Sequence, residues 1–328
     1  MKVSAALPTG VAALLMDSAR RHRQLEGKLV ERLEARGFSE VILPVVDYLD
    51  PYEELLGEVS RRELYRFVDR DGEVLALRAD FTPMLARLIV PRLSSLELPL
   101  HLFYRGDVLR YQEQHAGRQR EFYQLGAEII GLPGEDAERL ALRRFLELLT
   151  VEEHRPTLVV MGFAGALDRL LLERAREDPR ALATALVRRE RRIARGGPLR
   201  EVVEDGVPRD SGDLGEEAAV KLAQLSALCD ELRTVFPAVE LRLDLAEFAD
   251  QTLAPELREG QQGRAYYDGL VFKAYGGRAA QPVGGGGRYD RLFQRLGADV
   301  TAAGFAVSLD RLIARADADD EDPGDAGR

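Results

Sequence analysis

The chain has 328 residues, 45% of them hydrophobic, with 46 Lys and Arg against 56 Asp and Glu for a formal net charge of -10. That is ample for a buried core in one large or two modest domains, and the acidic balance argues against a broad polyanion-binding surface. The single cysteine, Cys229, excludes an intrachain disulfide, and its apolar run VKLAQLSALCDEL reads as helix packing. His22, His101, His115 and His154 lie far apart with no ligand-like spacing, so neither a metal site nor a cofactor is expected. No stretch of about 18 apolar residues occurs, and the expectation is a cytoplasmic protein with no membrane segment.

Residues Val11 to Arg36 carry apolar positions at helical spacing, and Gly37 is placed to end that helix. The apolar run Val41 to Val46 follows as a strand. Its Pro44 removes one ladder hydrogen bond and marks an edge or interface strand. Arg70-Asp71-Gly72 reads as a hairpin turn whose second strand delivers Arg78, Asp80 and Thr82 to one region, with a helix starting near Pro83. Between Phe103 and Gly131, alternating apolar and polar residues flank a polar turn, which predicts two antiparallel strands joined by a long loop. Arg110, Arg118 and Arg120 gather near the ends of that loop, where guanidinium forks suit carboxylates or phosphates. Gln124, Glu128 and Asp80 offer the opposite polarity. An anion end and a cation end together fit an amino acid.

From Phe163 to about Phe236 the Arg, Ala, Leu and Glu composition is helical, interrupted at Gly196-Gly197-Pro198 and Asp210-Ser211-Gly212. The basic run Arg188 to Arg195 is read as a solvated helix face. VELRLDL then forms a strand. Gly284 to Gly287 lacks the context of a P-loop and is read as backbone that lets a ligand approach closely, with RYDRL opening the next helix. The tail after Leu312 is acidic and apolar-poor, and disorder is expected there.

Four segments, FYRGDVLRYQEQHAGRQREFYQLGAEIIG, YYDGLVF, GGGGRYDRL and GFAVSLDRL, resemble in order and spacing the catalytic core of histidyl-tRNA synthetase. This resemblance, from about Leu7 to about Leu312, implies an α+β fold: a class II synthetase antiparallel sheet flanked by helices. The core would span 1–312, interrupted by a helical insertion at about 163–236, with 313–328 as the tail. The first helix and the Pro44 strand resemble the motif that builds the class II dimer interface, which implies a homodimer. For the pocket, the resemblance implies that Asp80, Thr82 and Gln124 hold the α-ammonium of histidine, Arg110 its carboxylate, and Glu128 with Tyr267 its imidazole. Arg110 and Arg311 correspond to contacts with ATP phosphates. They are read as a vestigial nucleotide site.

The departures from the synthetase pattern concentrate in the activation chemistry. Gln262-Gly263 stands where the family has Arg-Gly, Arg110-Tyr111-Gln112 where it has Arg-x-Glu, and Ser308-Leu309-Asp310-Arg311 where it has Gly-x-Glu-Arg. Glutamine cannot offset an anion that builds up in a transition state. Asp80 stands where the synthetases usually have Glu, and no anticodon-binding domain is expected after the core. The pattern resembles the family of ATP phosphoribosyltransferase regulatory subunits, synthetase-like proteins without aminoacylation activity. That implies no catalytic residue in this chain, a short-form catalytic subunit as partner in a hetero-oligomer, L-histidine as feedback effector, and no tRNA. Two readings compete: an active amino-acid-activating enzyme, supported by Arg110 and Arg311, and a scaffold with an empty pocket.

Overall fold

The computed structural model describes residues 7–50, 55, 63–111, 119–151, 157–175, 178–190, 196–252, 266–276 and 281–313. Gln112, His115, Arg118, His154, Gln262, Gly263, the far end of the basic run and the tail from 314 lie outside them. The chain divides into two compact units, one of residues 1–128 with 306–328 and the other of residues 129–305.

The first unit opens with helix α1 (Met16–Glu34), which buries His22, Leu25, Glu26, Leu29 and Leu33 along one face. It starts later than the apolar spacing predicts. Ser18 Oγ accepts from Leu15 N–H and donates to Leu15 C=O, turning the chain there, and Leu14 and Leu15 stay exposed. Gly37, with φ +80, ends the turn after the helix as expected. The expected strand from Val41 to Val46 is broken: β1 is Ser39–Glu40 and β2 is Val46–Tyr48. The carbonyls of Leu43 and Pro44 accept instead from the Arg78 guanidinium at 2.7 and 3.0 Å, so a side chain replaces the ladder.

Strands β3 (Arg66–Val68) and β4 (Val74–Leu77) pair antiparallel across the expected turn, and β2 joins the other side of β4. Helix α2 (Thr82–Ile89) begins with Pro83 in its first turn. Strands β5 (Leu100–Leu109) and β6 (Glu121–Ile130) follow, with β1 parallel to β5 on its far side. The core of this unit includes Leu43, Ala76, Phe81, Met84, Leu85, Tyr104, Val108 and Phe122.

The second unit places helix α3 (Gly134–Leu149) over its sheet, with the ring of Phe145 4.9 Å from that of Phe272. Strand β7 (Thr157–Phe163) leads to helices α4 (Asp168–Arg174), α5 (Pro179–Val187), α6 (Pro198–Asp205) and α7 (Glu216–Val235). Cys229 is buried on α7, its sulfur 4.0 Å from that of Met161. Strand β8 (Val239–Leu243), the short helix α8 (Ala249–Thr252), strands β9 (Leu270–Gly276) and β10 (Gly284–Arg288), helix α9 (Asp290–Arg295) and strand β11 (Ala302–Ser308) complete the order. β9 pairs antiparallel with both β10 and β7, while β8 runs parallel to β7. Parallel pairs thus make the sheet mixed where the sequence predicts an antiparallel one.

The glycines of β10 serve the sheet itself. A Cβ at Gly285 would lie 2.7 Å from Phe272 O, at Gly286 2.2 Å from Gly304 O, and at Gly287 2.3 Å from Leu270 O. Neighbouring main chain approaches this strand closely at each of these glycines.

Candidate ligand-binding site

Alternation along β6 sets Gln124, Gly126 and Glu128 on one face. Glu128, only 2% exposed, accepts hydrogen bonds at Oε1 from Thr82 Oγ1 at 2.8 Å and Tyr104 Oη at 3.1 Å. Burial pushes its carboxyl up to about 8, reinforced by the charge of Asp80 and only partly opposed by the two hydroxyls. Burial thus favours the protonated form of this carboxyl at neutral pH.

Asp80 lies between β4 and α2. Its Oδ1 accepts from Thr82 N–H at 3.0 Å, and its Oδ2 accepts from Arg110 Nη2 at 3.3 Å. Arg110, just beyond β5, also donates from Nε to the Ala79 carbonyl at 2.8 Å. Gln124 Oε1 is buried with no hydrogen-bond partner among the described residues, which leaves an acceptor ready for a donor.

The guanidiniums of Arg110 and Arg311 each lie 5.5 Å from the centre of the Phe122 ring. Burial, and then repulsion from Arg110, lower the affinity of Arg311 for its proton, although a guanidinium remains charged at any ordinary pH. Such paired cations favour an anion. The neighbouring Asp310 is turned to structural use: its Oδ2 accepts from Tyr123 N–H at 2.7 Å, and its Oδ1 lies 3.7 Å from His22 Nε2. Ser308 Oγ is buried without a hydrogen-bond partner among the described residues.

Asp80, Thr82, Arg110, Gln124, Glu128 and Arg311 all fall in the first unit. Tyr267 falls in the second, where its ring packs edge-on to Tyr266 at 4.9 Å between centres. Gly287 leaves room for it: a Cβ there would lie 2.6 Å from Tyr267 Cδ1. Arg120, grouped with Arg110 by sequence, lies over the Tyr111 ring at 4.8 Å.

Tyr104 is the site residue that the sequence reading missed. Its phenol is 1% exposed and bonded to Glu128, and Gly126 makes the space, since a Cβ at 126 would lie 2.5 Å from the hydroxyl. A glycine between Gln124 and Glu128 on one strand face was the available signal. It points to a bulky neighbour reaching across.

The family model for histidyl-tRNA synthetase matches residues 10–312. The ATP phosphoribosyltransferase regulatory subunit of Symbiobacterium thermophilum is 33% identical, over 94% of this chain and 79% of its own length. That of Anaeromyxobacter sp. is 35% identical, over 93% of this chain and 89% of its own length. A histidine–tRNA ligase of Pyrobaculum islandicum is 31% identical, over 89% and 70%. Among solved structures, an ATP phosphoribosyltransferase regulatory subunit/histidyl-tRNA synthetase from Bacillus halodurans is similar with TM-score 0.78 at 23% identity, covering 96% of this chain and 84% of that one. Apo S. aureus histidyl-tRNA synthetase is similar with TM-score 0.65 at 20% identity, covering 97% and 75%. At those identities the structures establish a shared class II synthetase fold.

Proposed function

The chain belongs to the regulatory subunits of ATP phosphoribosyltransferase, within the family of the histidyl-tRNA synthetase model, and from that premise we propose that it binds L-histidine in the first-unit pocket and reports it to a short catalytic subunit. The observation that carries this reading is Glu128, a buried acid held by two hydroxyls and raised to about 8. An acid kept protonated in this way suits a partner that brings a basic nitrogen.

In this reading the imidazole meets Glu128. The α-ammonium meets Asp80, Thr82 and the Gln124 carbonyl, and the carboxylate meets Arg110. Thr82 already donates to Glu128, yet a hydroxyl has two acceptor lone pairs and can receive the ammonium as well. Between the imidazole's ordinary pKa of about 6.5 and the raised value of Glu128, acid and imidazole bring one proton between them. Shifting it onto the ring forms an ion pair in a dry site with no net proton exchange.

Binding without consumption is what a feedback sensor requires. Ser308 with its buried hydroxyl and Asp310 engaged by Tyr123 support a pocket no longer arranged for adenylate formation. The paired arginines favour the rival reading, an enzyme that activates an amino acid with ATP. Two assays on purified protein separate them. The regulatory reading expects no histidine-dependent pyrophosphate exchange, a shared complex with a short ATP phosphoribosyltransferase by light scattering, and histidine-sensitive rates only in the mixture. Robust exchange by the chain alone, or unchanged rates with no complex, would overturn it.

A further inference from the structure

Behind Glu128 runs a continuous stack of buried groups. Tyr104, whose hydroxyl holds the acid, lies flat on Phe81, ring centres 4.3 Å apart and planes 11° from parallel. On the other side of Phe81 sits the Arg78 guanidinium, 3.9 Å from the ring centre, a distance at which a cation is attracted to the ring face. Arg78 is 3% exposed, and its donors are spent on main chain: Leu43 O at 2.7 Å, Pro44 O at 3.0 Å, and Asp107 O at 3.1 and 2.7 Å. Its own amide donates to Val45 O at 2.7 Å.

Glycines clear both ends of this stack. A Cβ at Gly106 would come within 2.8 Å of Arg78 Nη2, and φ +145 at that position is itself unfavourable for a side chain. Gly126 makes the equivalent space at the Tyr104 hydroxyl. Phe81 and Tyr104 are fully buried, and groups packed at crystal-like density pass displacement on rather than absorb it.

We infer that Tyr104, Phe81 and Arg78 act as one positioning unit, which fixes Glu128 and transmits its change of charge on ligand binding to the main chain at Leu43 and Pro44. This deepens the proposed function and rests on Glu128 as the acid that meets the ligand. The direction follows from the bonds. When Glu128 becomes a carboxylate, the Tyr104 hydroxyl donates to a charge, and such a bond is shorter and stronger than a neutral one. The ring moves toward Glu128, Phe81 follows, and Arg78 shifts against carbonyls that lie beside Ile42 and Val45, side chains open to solvent. Among the described residues, Thr82 and Asp80, with Arg110 on the latter, also act on Glu128, and Thr82 also responds to its charge.

The test uses the full chain with labelled Glu carboxyls and Leu methyls, followed by NMR between pH 5 and 10. Tyr104→Phe keeps the ring and removes one donor, so the Glu128 midpoint should rise by about one to two pH units. In the unmodified chain the Leu43 methyl signals should inflect at the Glu128 midpoint. In Phe81→Leu that inflection should vanish while Glu128 still titrates. A Leu43 signal that is flat through the Glu128 transition, or that inflects equally in Phe81→Leu, overturns the inference. Adding L-histidine at pH 7 should move Leu43 in the same direction as raising the pH. If histidine moves neither group although the ligand-free inflection is present and lost in Phe81→Leu, the histidine reading fails and the positioning unit stands.

Discussion

Glu128 in the first unit and the acids Glu138, Asp268 and Asp290 in the second are all withdrawn from water, yet they are compensated by different means. In the second unit Arg288 donates to Asp290 Oδ2 from Nε at 2.8 Å and Nη2 at 2.5 Å, and its Nη1 lies 3.7 Å from Glu138. Main-chain N–H groups supply the rest: Leu270 to Glu138, Asp290 and Arg291 to Asp268, and Ala302 to Asp290. Burial still raises Glu138 and Asp268, but these bonds and Arg288 pull against it. Glu128 has hydroxyl donors, and the nearby charge of Asp80 opposes its ionisation. One group is complete as it stands and holds strand to helix. The other sits among neutral hydroxyl donors, with a like charge nearby, and keeps its proton.

The sharpest way to break this contrast is to remove Arg288. Arg288→Met strands the second-unit acids and should cost about 3–5 kcal/mol, read as a fall in the denaturation midpoint in urea. A loss below about 1 kcal/mol would mean that this cluster is no more structural than the pocket.

Glu128→Gln should move stability the other way. A folded value of about 8 against an ordinary 4.5 means that the native state keeps a proton the unfolded chain has released. Stability from this group is therefore full below about pH 4.5 and is lost as the pH rises toward 8. The amide mimics the protonated acid, so the variant should gain roughly 3 kcal/mol at pH 7, with little change at pH 4. Thermal melts across that range measure the difference. The same variant should bind histidine tenfold to a hundredfold more weakly, since hydrogen bonds to charged groups contribute about 1.5–3 kcal/mol. Greater stability with unchanged binding would leave Glu128 a buried acid with no ligand role.

A gentler probe is pH itself. Histidine affinity measured by calorimetry should be greatest between about pH 6.5 and 8. It should fall toward tenfold per unit below that window, where the pair must release a proton, and above it, where the pair must take one up. Glu128→Gln should lose the upper limb.

Much of this was legible in the sequence because it is periodic. The hairpin of β3 and β4, the strands β5 and β6, and the helices after Phe163 follow from alternation, helical spacing and turn residues. Arg110, Gln124 and Glu128 stood out on the β5–β6 segment, the stretch holding Asp80 and Thr82 gained its weight only from the family resemblance, and the structure places all five in the first unit. What stayed hidden was contact between side chains distant in sequence. Arg78 breaks the Val41 to Val46 strand by capturing its carbonyls, and Tyr104 reaches Glu128 through space left by Gly126. Neither effect has a period. The β10 glycines were recognised as a place of close approach, but which strands come close to them was not readable from their order.

The first unit is also discontinuous in sequence, and this bears on how the protein is made. Its closing bond, from Tyr123 N–H to Asp310, joins residues 187 apart along the chain. At about 5–20 residues per second, a ribosome needs on the order of 10–40 s to cover that interval. Throughout that time the second unit, contiguous from 129 to 305, can begin to pack while the first waits for its last strand. Arg311 follows one residue after Asp310, so the pair of Arg110 and Arg311 over Phe122 is completed in the same step. Until then the Tyr123 amide lacks its Asp310 acceptor and the Phe122 ring lacks the Arg311 guanidinium.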